Sequence, residues 1–331
     1  MLASNYAFAT GKIRALEPHI LDATDVERMV SAPDFETAFK VLNDTDYADN
    51  LLDIQPINYR DALRADYKQL YRMLKKIIPD QNFFKFLYLK RDFLNLRILF
   101  KAKYHNINEV DEMLDHETVY QPEHLKEFVL NKIDLGLDDD IKKVILKADR
   151  KFALRSEPDY IDSRLTYLLF ELEGKLIKKI KNKFVTGLYK LLIDQANILS
   201  FLRATRLKLS KDRLKQNLIY GGNIEASDLE EVYGKSNEEL MKILGKQYDK
   251  IVSEQCDKYC QSDLLYIFEK SLEDFLIRYL QKAKSIAYGP EIVLAYYFAK
   301  RNAVRNIRII MTGKLNDMPV EEIKTTLRQT Y

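Results

Sequence analysis

The sequence predicts an all-α protein, and three observations carry that expectation. Glycine (10) and proline (8) are scarce in a chain of 331 residues. Each is under half or about half of its usual share of about 7% and 5%, which starves turns and favours helices. Apolar residues recur at steps of three and four through most of the chain, the period of a helix with one buried face. Alternating apolar and polar runs bounded by hairpin turn pairs are absent.

The elements follow in chain order. The opening MLASNYAFATGKIRAL has no basic-then-apolar secretion signal. TDVERMVSAPDFETAFKVL (24–42) reads as two short helices, the first capped by Thr24 and the second by Asp34. YRDALRADYKQLYRMLKKII is an amphipathic helix that stops before Pro79. NLRILFKAK (95–103) is helical, and NEVDEMLDHETVYQPEHLKEFVL from Asn108 is a looser version of the earlier helix pair. In SRLTYLLFELEGKLIKKIKNKF, Leu165, Leu168, Leu169, Leu172, Leu176, Ile180 and Phe184 mark one apolar face among lysines. Gly221-Gly222 is the clearest loop signal. SDLEEVYGKSNEELMKIL (227–244) repeats the early helix pair, with Ser227 and Ser236 as caps, and NIRIIMTGK (306–314) repeats NLRILFKAK.

Those likenesses form a register. Setting Asn95, Asn197 and Asn306 together, at spacings of 102 and 109 residues, aligns Leu96 with Ile198 and Ile307 and Asp92 with Asp194. Arg97 and Arg308 then match each other, whereas Leu199 stands in their place in the middle copy and Arg203 follows a turn later. Ala303 stands where the other two copies have an acid. A period near one hundred is the size of a small domain rather than of a solenoid repeat. Three similar helical-bundle domains are therefore expected at 1–106, 107–218 and 219–331. A pseudo-threefold, funnel-like arrangement would suit a cylindrical partner. The repeated set Asp92, Asn95, Arg97, Asp194, Asn197, Arg203, Asn306 and Arg308 reads as an internal brace, because a partner-facing surface should diverge between copies.

Composition narrows the function. The chain is 47% hydrophobic and 31% charged, with a net charge of +3, a folded balance that does not itself call for a polyanion partner. Cys256 and Cys260 sit one helical turn apart and read as reduced packing thiols. No window approaches 18 uncharged apolar residues, so membrane attachment is expected only through partners. There is no G-x-x-x-x-G-K-S/T loop and no H-E-x-x-H. His19, His105, His116 and His124 share no ligand spacing. No enzyme, cofactor or metal site is expected.

Between Lys175 and Lys215 basic residues dominate, and Lys178, Lys179, Lys181, Lys183, Arg206, Lys208, Lys211 and Arg213 form a candidate partner-facing stretch. An acidic partner, anionic headgroups or a solvated helix face all fit it. Nucleic acid fits poorly, since no aromatic platform is interleaved. Of the 21 tyrosines, Tyr120, Tyr160, Tyr220, Tyr259 and Tyr331 are candidates for exposed or interdomain positions.

Several segments, in order, resemble the C subunit of bacterial and archaeal V/A-type ATPases, whose eukaryotic counterpart is called d. They are Tyr6, Arg14 and Leu16 near the start, LNDTDYAD (42–49), IDQANI followed by Arg203, GPEIVLAYYFAKRNAVRNIRIIMTGK, and the closing LRQTY. The resemblance covers essentially the whole chain. It implies a non-catalytic central-stalk subunit of three helical domains at the cytoplasmic face of the membrane. Such a protein receives the D and F subunits of the axle, sits on the proteolipid ring, and transmits rotation coupled to proton or sodium transport. The alternative is a free-standing helical scaffold that binds RNA or anionic lipid through the 175–215 stretch.

Overall fold

The structure is a computed structural model and describes residues 3–248 and 265–331. Cys256, Tyr259 and Cys260 lie outside the described residues. The described residues form helices and no strand. The helices are α1 (Ala7–Leu16), α2 (Ala23–Ser31), α3 (Phe35–Lys40), α4 (Tyr59–Ile77) and α5 (Gln81–His105). After them come α6 (Pro122–Asn131), α7 (Asp139–Phe152), α8 (Pro158–Ile180) and α9 (Lys183–Arg206). The rest are α10 (Lys211–Asn217), α11 (Ala226–Val232), α12 (Asn237–Gln247), α13 (Leu265–Gln281), α14 (Pro290–Leu315) and α15 (Val320–Thr326).

Local chemistry starts these helices. Asp34, Asp80, Asp138, Asn182 and Ser210 each accept a first-turn backbone N–H, satisfying a donor that has no partner within the helix. The caps expected at Thr24 and Ser227 fall elsewhere. Asp22 and Asp25 form a reciprocal capping box that starts α2 two residues earlier, and α11 begins after Glu225. A carboxylate is the better acceptor for a positive helix end, so Asp22 outcompetes the hydroxyl.

Three long helices organise the packing. Antiparallel to α5 runs α8: Arg97 donates to Thr166 Oγ1 at 2.8 Å and Lys101 to Asp162 Oδ2 at 2.8 Å. Helix α13 runs beside α9 the same way, with Arg203 on Glu269 at 3.0 Å and the Tyr279 hydroxyl on the Phe184 carbonyl at 2.8 Å. Helix α14 packs against α1, α2 and α3. It is tied to the start of the chain by Lys300, which reaches Asp46 at 2.9 Å and Asp66 at 2.8 Å. Through their N-terminal thirds the long helices also meet one another. Phe86 touches Tyr189 edge to face with ring centroids 6.4 Å apart, and Tyr88 touches Tyr297 at 5.4 Å. The Tyr297 hydroxyl donates to the Leu87 carbonyl at 2.9 Å.

Each repeated asparagine is fully buried and makes the same pair of bonds. Asn95 exchanges two hydrogen bonds of 2.8 Å with the N–H and C=O of Asp115. Asn197 does so with Ile219 at 2.7 and 2.8 Å, and Asn306 with Arg328 at 2.9 Å for both. Three residues earlier, Asp92 accepts the N–H groups of Val119 and Tyr120. Asp194 accepts those of Asn223 and Ile224 together with the Tyr248 hydroxyl. The approach is so close that a Cβ on Gly222 would lie 2.1 Å from Asp194 Oδ1, which explains the glycine there. In the third copy Ala303 stands in place of the acid, and a different carboxylate, Asp274 of α13, accepts the N–H of Gln329, the residue after the clamped Arg328, at 2.6 Å.

These bonds run forward along the chain. The divisions expected at 106/107 and 218/219 therefore lie close to the clamped segments, the first between Asn95 and Asp115 and the second just before Ile219. Helix α14 gathers residues from both ends of the sequence.

Replacing Asn197 by Ala strands a buried N–H and C=O, and should cost about 3 kcal/mol in urea unfolding. An unchanged midpoint would refute the brace. A second expectation concerns Lys300, 3% exposed, with the Tyr47 ring centred 4.0 Å from its ammonium. Burial pushes Asp66 from 3.8 up to about 6 against the pull of Lys300. The folded state thus holds that proton more tightly than the unfolded chain does. The resulting stability is complete below about pH 4 and is lost as pH rises through 6. K300M leaves two buried carboxylates without their cation, and should cost about 3–5 kcal/mol at pH 8 and clearly less at pH 5. Equal costs at the two pH values would contradict this.

Candidate partner-binding recess

Lys90 of α5 lies in the electrostatic field of Arg301 and Arg305 of α14 and of Glu173 of α8. Much of the Lys90 surface is open, yet protein crowds it from several sides. That loss of water, together with the repulsion of Arg301, pushes its ammonium down to about 8. Glu173 is 6% exposed, and burial pushes its carboxyl up to about 8, with Lys90 pulling the other way. A continuous cleft of about 1180 Å³ extends from Arg301 and Arg305 between α4, α14 and the 111–117 segment. Its floor includes Leu63, Tyr67 and Val304, and Lys68 and Arg308 stand on its wall.

The charges here are unevenly matched. Arg91 pairs with Asp115 and stacks over Tyr67, Arg305 pairs with Glu273, and Arg97 reaches Asp162 at 3.9 Å. Lys68, Lys90, Arg301 and Arg308 make no ion pair with any described residue, although Arg301 lies over the Tyr297 and Phe298 rings at 5.5 Å. Glu112 and Glu117 on the same lining likewise make no ion pair with a described residue, so the excess of positive charge at the cleft is small.

The structure sorts the residues singled out from sequence into different places. Asp92, Asn95, Asp194, Asn197 and Asn306 point into the protein. Arg97 and Arg203 tie neighbouring helices, and Arg308 is exposed at the cleft. Lys178, Lys179, Lys181 and Lys183 lie at the junction of α8 and α9, whereas Arg206, Lys208, Lys211 and Arg213 cluster around the far end of α9. All eight are exposed. The 24 residues of α9 separate the two groups by about 36 Å, so the stretch is two patches and not one surface. Tyr220 is 57% exposed, while Tyr120, Tyr160 and Tyr331 are half-buried. Lys90, Arg301 and Arg305 were not picked out from sequence. Their signal was present: Lys90 and Arg301 both stand five residues before the repeated asparagine.

Among the described residues no helix is long and apolar enough to cross a membrane, and no group of three or more His, Cys, Asp and Glu is placed to hold a metal. The profile of a family described as ATP synthase (C/AC39) subunit matches residues 9–326. The C subunit of the A-type ATP synthase of Methanocaldococcus jannaschii is 24% identical, over 97% of this chain and 86% of its own length. The C subunit of the V-type sodium ATPase of Enterococcus hirae is 22% identical, over 96% of this chain and 97% of its own. The corresponding A-type ATP synthase protein of a Desulfurococcus species is 24% identical over 96% and 89%.

A lysine held near 8 is roughly half neutral at pH 8, against under about 1% for an ordinary one. Brief treatment with an amine-acylating reagent at pH 8 should therefore modify Lys90 ahead of Lys12 or Lys178, read by peptide mass spectrometry. Equal labelling of the three would show that the recess does not perturb Lys90.

Proposed function

The chain belongs to the family of ATP synthase C/AC39 subunits, and on that premise we propose that it is the non-catalytic coupler of the rotor. In this reading it joins the axle, made of the D and F subunits, to the proteolipid ring on the cytoplasmic face of the membrane. Membership makes it part of a V/A-type ATPase complex; the coupling role goes further. The observation that carries it is the thrice-used clamp, whose three long helices meet through their N-terminal thirds.

A coupler works by binding and stiffness. The axle needs one persistent seat, and obligate contacts commonly bury more than about 2,000 Å². The asparagine and carboxylate bonds fix each long helix to the segment that follows it and so stiffen each repeat, since each is buried and costly to leave unmade. A ring whose symmetry differs from that of the coupler cannot be matched residue by residue on every protomer. Shape and charge complementarity then carry that contact. The divided basic stretch weakens the alternative of a single RNA- or lipid-binding surface.

Tagged protein purified from its native membranes should bring down D, F and the proteolipid, with the ATPase headpiece following. Recovery of salt-sensitive nucleic acid without those proteins would sink the rotor reading in favour of a scaffold.

A further inference from the structure

We propose that a second groove, between the end of α14 and the start of α3, docks a partner protein segment bearing an apolar side chain flanked by lysines. The groove encloses about 850 Å³ and is distinct from the cleft above, although Met318 borders both. Pro33, Pro56 and Pro319 line it, and Phe35, packed edge to face on Tyr59 with ring centroids 6.1 Å apart, is its buried part. Three large apolar side chains open onto it: Ile57 is 58% exposed, Leu315 48% and Met318 37%. Exposed apolar groups gathered at one place mark a docking surface, whereas single scattered ones do not.

The turn that presents Leu315 and Met318 is held in place. The Asn316 amide donates to the Thr312 carbonyl at 2.7 Å, and the Met318 N–H donates to the Gly313 carbonyl at 2.9 Å. Between them Asp317 takes the left-handed conformation, with φ 52°. An occupant therefore meets side chains already positioned, which lowers the ordering cost of binding.

Charge identifies the occupant. The lining carries Asp34, Glu36 and Asp317 against a single cation, Lys314. Lys314 is tied to the Ala32 carbonyl, and Asp34 accepts the Thr37 N–H at 2.7 Å. Glu36 and Asp317 are exposed and make no ion pair with any described residue. A second copy of this chain seated about a twofold axis would set these acids against their own counterparts, a repulsive contact. Anionic headgroups and nucleic acid meet the same repulsion. A basic protein segment fits: its apolar side chain enters between Ile57, Leu315 and the adaptable thioether of Met318, and its lysines meet Glu36 and Asp317.

The test compares the isolated full chain with the same chain in the ATPase complex of its native membranes. A zero-length carbodiimide cross-linker, which joins a carboxylate to an amine only in contact, should link Glu36 or Asp317 to a lysine of another subunit. Peptide mass spectrometry reads the link. Hydroxyl-radical oxidation of Met318 should be severalfold slower in the complex than in the isolated chain. I57S/M318S keeps both carboxylates but removes two exposed anchors, so it should lose the cross-link at an unchanged unfolding midpoint. Equal oxidation of Met318 in the two states overturns the inference, as does the absence of any cross-link from these acids or a link only to a second copy of this chain. An undiminished cross-link in I57S/M318S overturns it as well. Should that variant misfold, the links and oxidation of the unaltered chain still decide. Recovery of D, F and the proteolipid is read separately, so failure here is distinct from failure of the rotor reading.

Discussion

A buried carboxamide that pairs with both the N–H and the C=O of one residue is the interaction on which this fold depends. After each long helix the chain returns as an irregular segment, and its peptide groups must be satisfied away from water. An amide side chain offers one donor face and one acceptor, the complement of a peptide N–H and C=O. A carboxylate at the same place offers acceptors only and would leave the carbonyl unmet. Three residues earlier the demand differs, since two successive N–H groups converge there. Asp92 and Asp194 answer with carboxylate acceptors.

That constraint acts on one face of each helix and leaves the opposite face free. The clamped faces stay alike because one peptide geometry must be met three times. Elsewhere the copies differ: the positions five before and two after the asparagine are Lys90 and Arg97 in one, Leu192 and Leu199 in another, Arg301 and Arg308 in the third. Ala303 shows the limit of the constraint. The third copy lacks that carboxylate, its position is a buried alanine, and Asp274 on the neighbouring helix holds the Gln329 N–H beside the clamp instead.

Much of this was legible in the sequence because the clamp is local in register. Asn95, Asn197 and Asn306 lie in helices whose apolar neighbours align without gaps, so the repeat and the all-α class could be read directly. Their bonding partners could not: Asp115, Ile219 and Arg328 contribute backbone alone, and backbone carries no residue signature. The limits of each repeat are blurred for the same reason, since each clamp reaches 20 to 22 residues forward. The bond from Gln329 to Asp274 was hidden because the two residues lie far apart in sequence. The basic run from 175 to 215 misled in another way, because neighbours in sequence sit at opposite ends of a rigid rod. The recess itself was obscured since Lys90 and Arg301 look like ordinary solvent-facing cations until their helices are placed side by side.

The gathering of both chain ends around α14 bears on biosynthesis. Lys300 needs Asp46 and Asp66, and Lys324 meets Glu27 at 2.8 Å. Residues 3–77 leave the ribosome long before the helix that completes their core. At about 5–20 residues per second the wait for residues 290–331 lasts tens of seconds. During that interval the buried-to-be faces of α1, α2 and α3 are bare, whereas the stretch from α5 to α8 already has its own partners. The nascent chain thus matures from the middle outward, and its amino-terminal helices are the part that a holding chaperone would have to shelter.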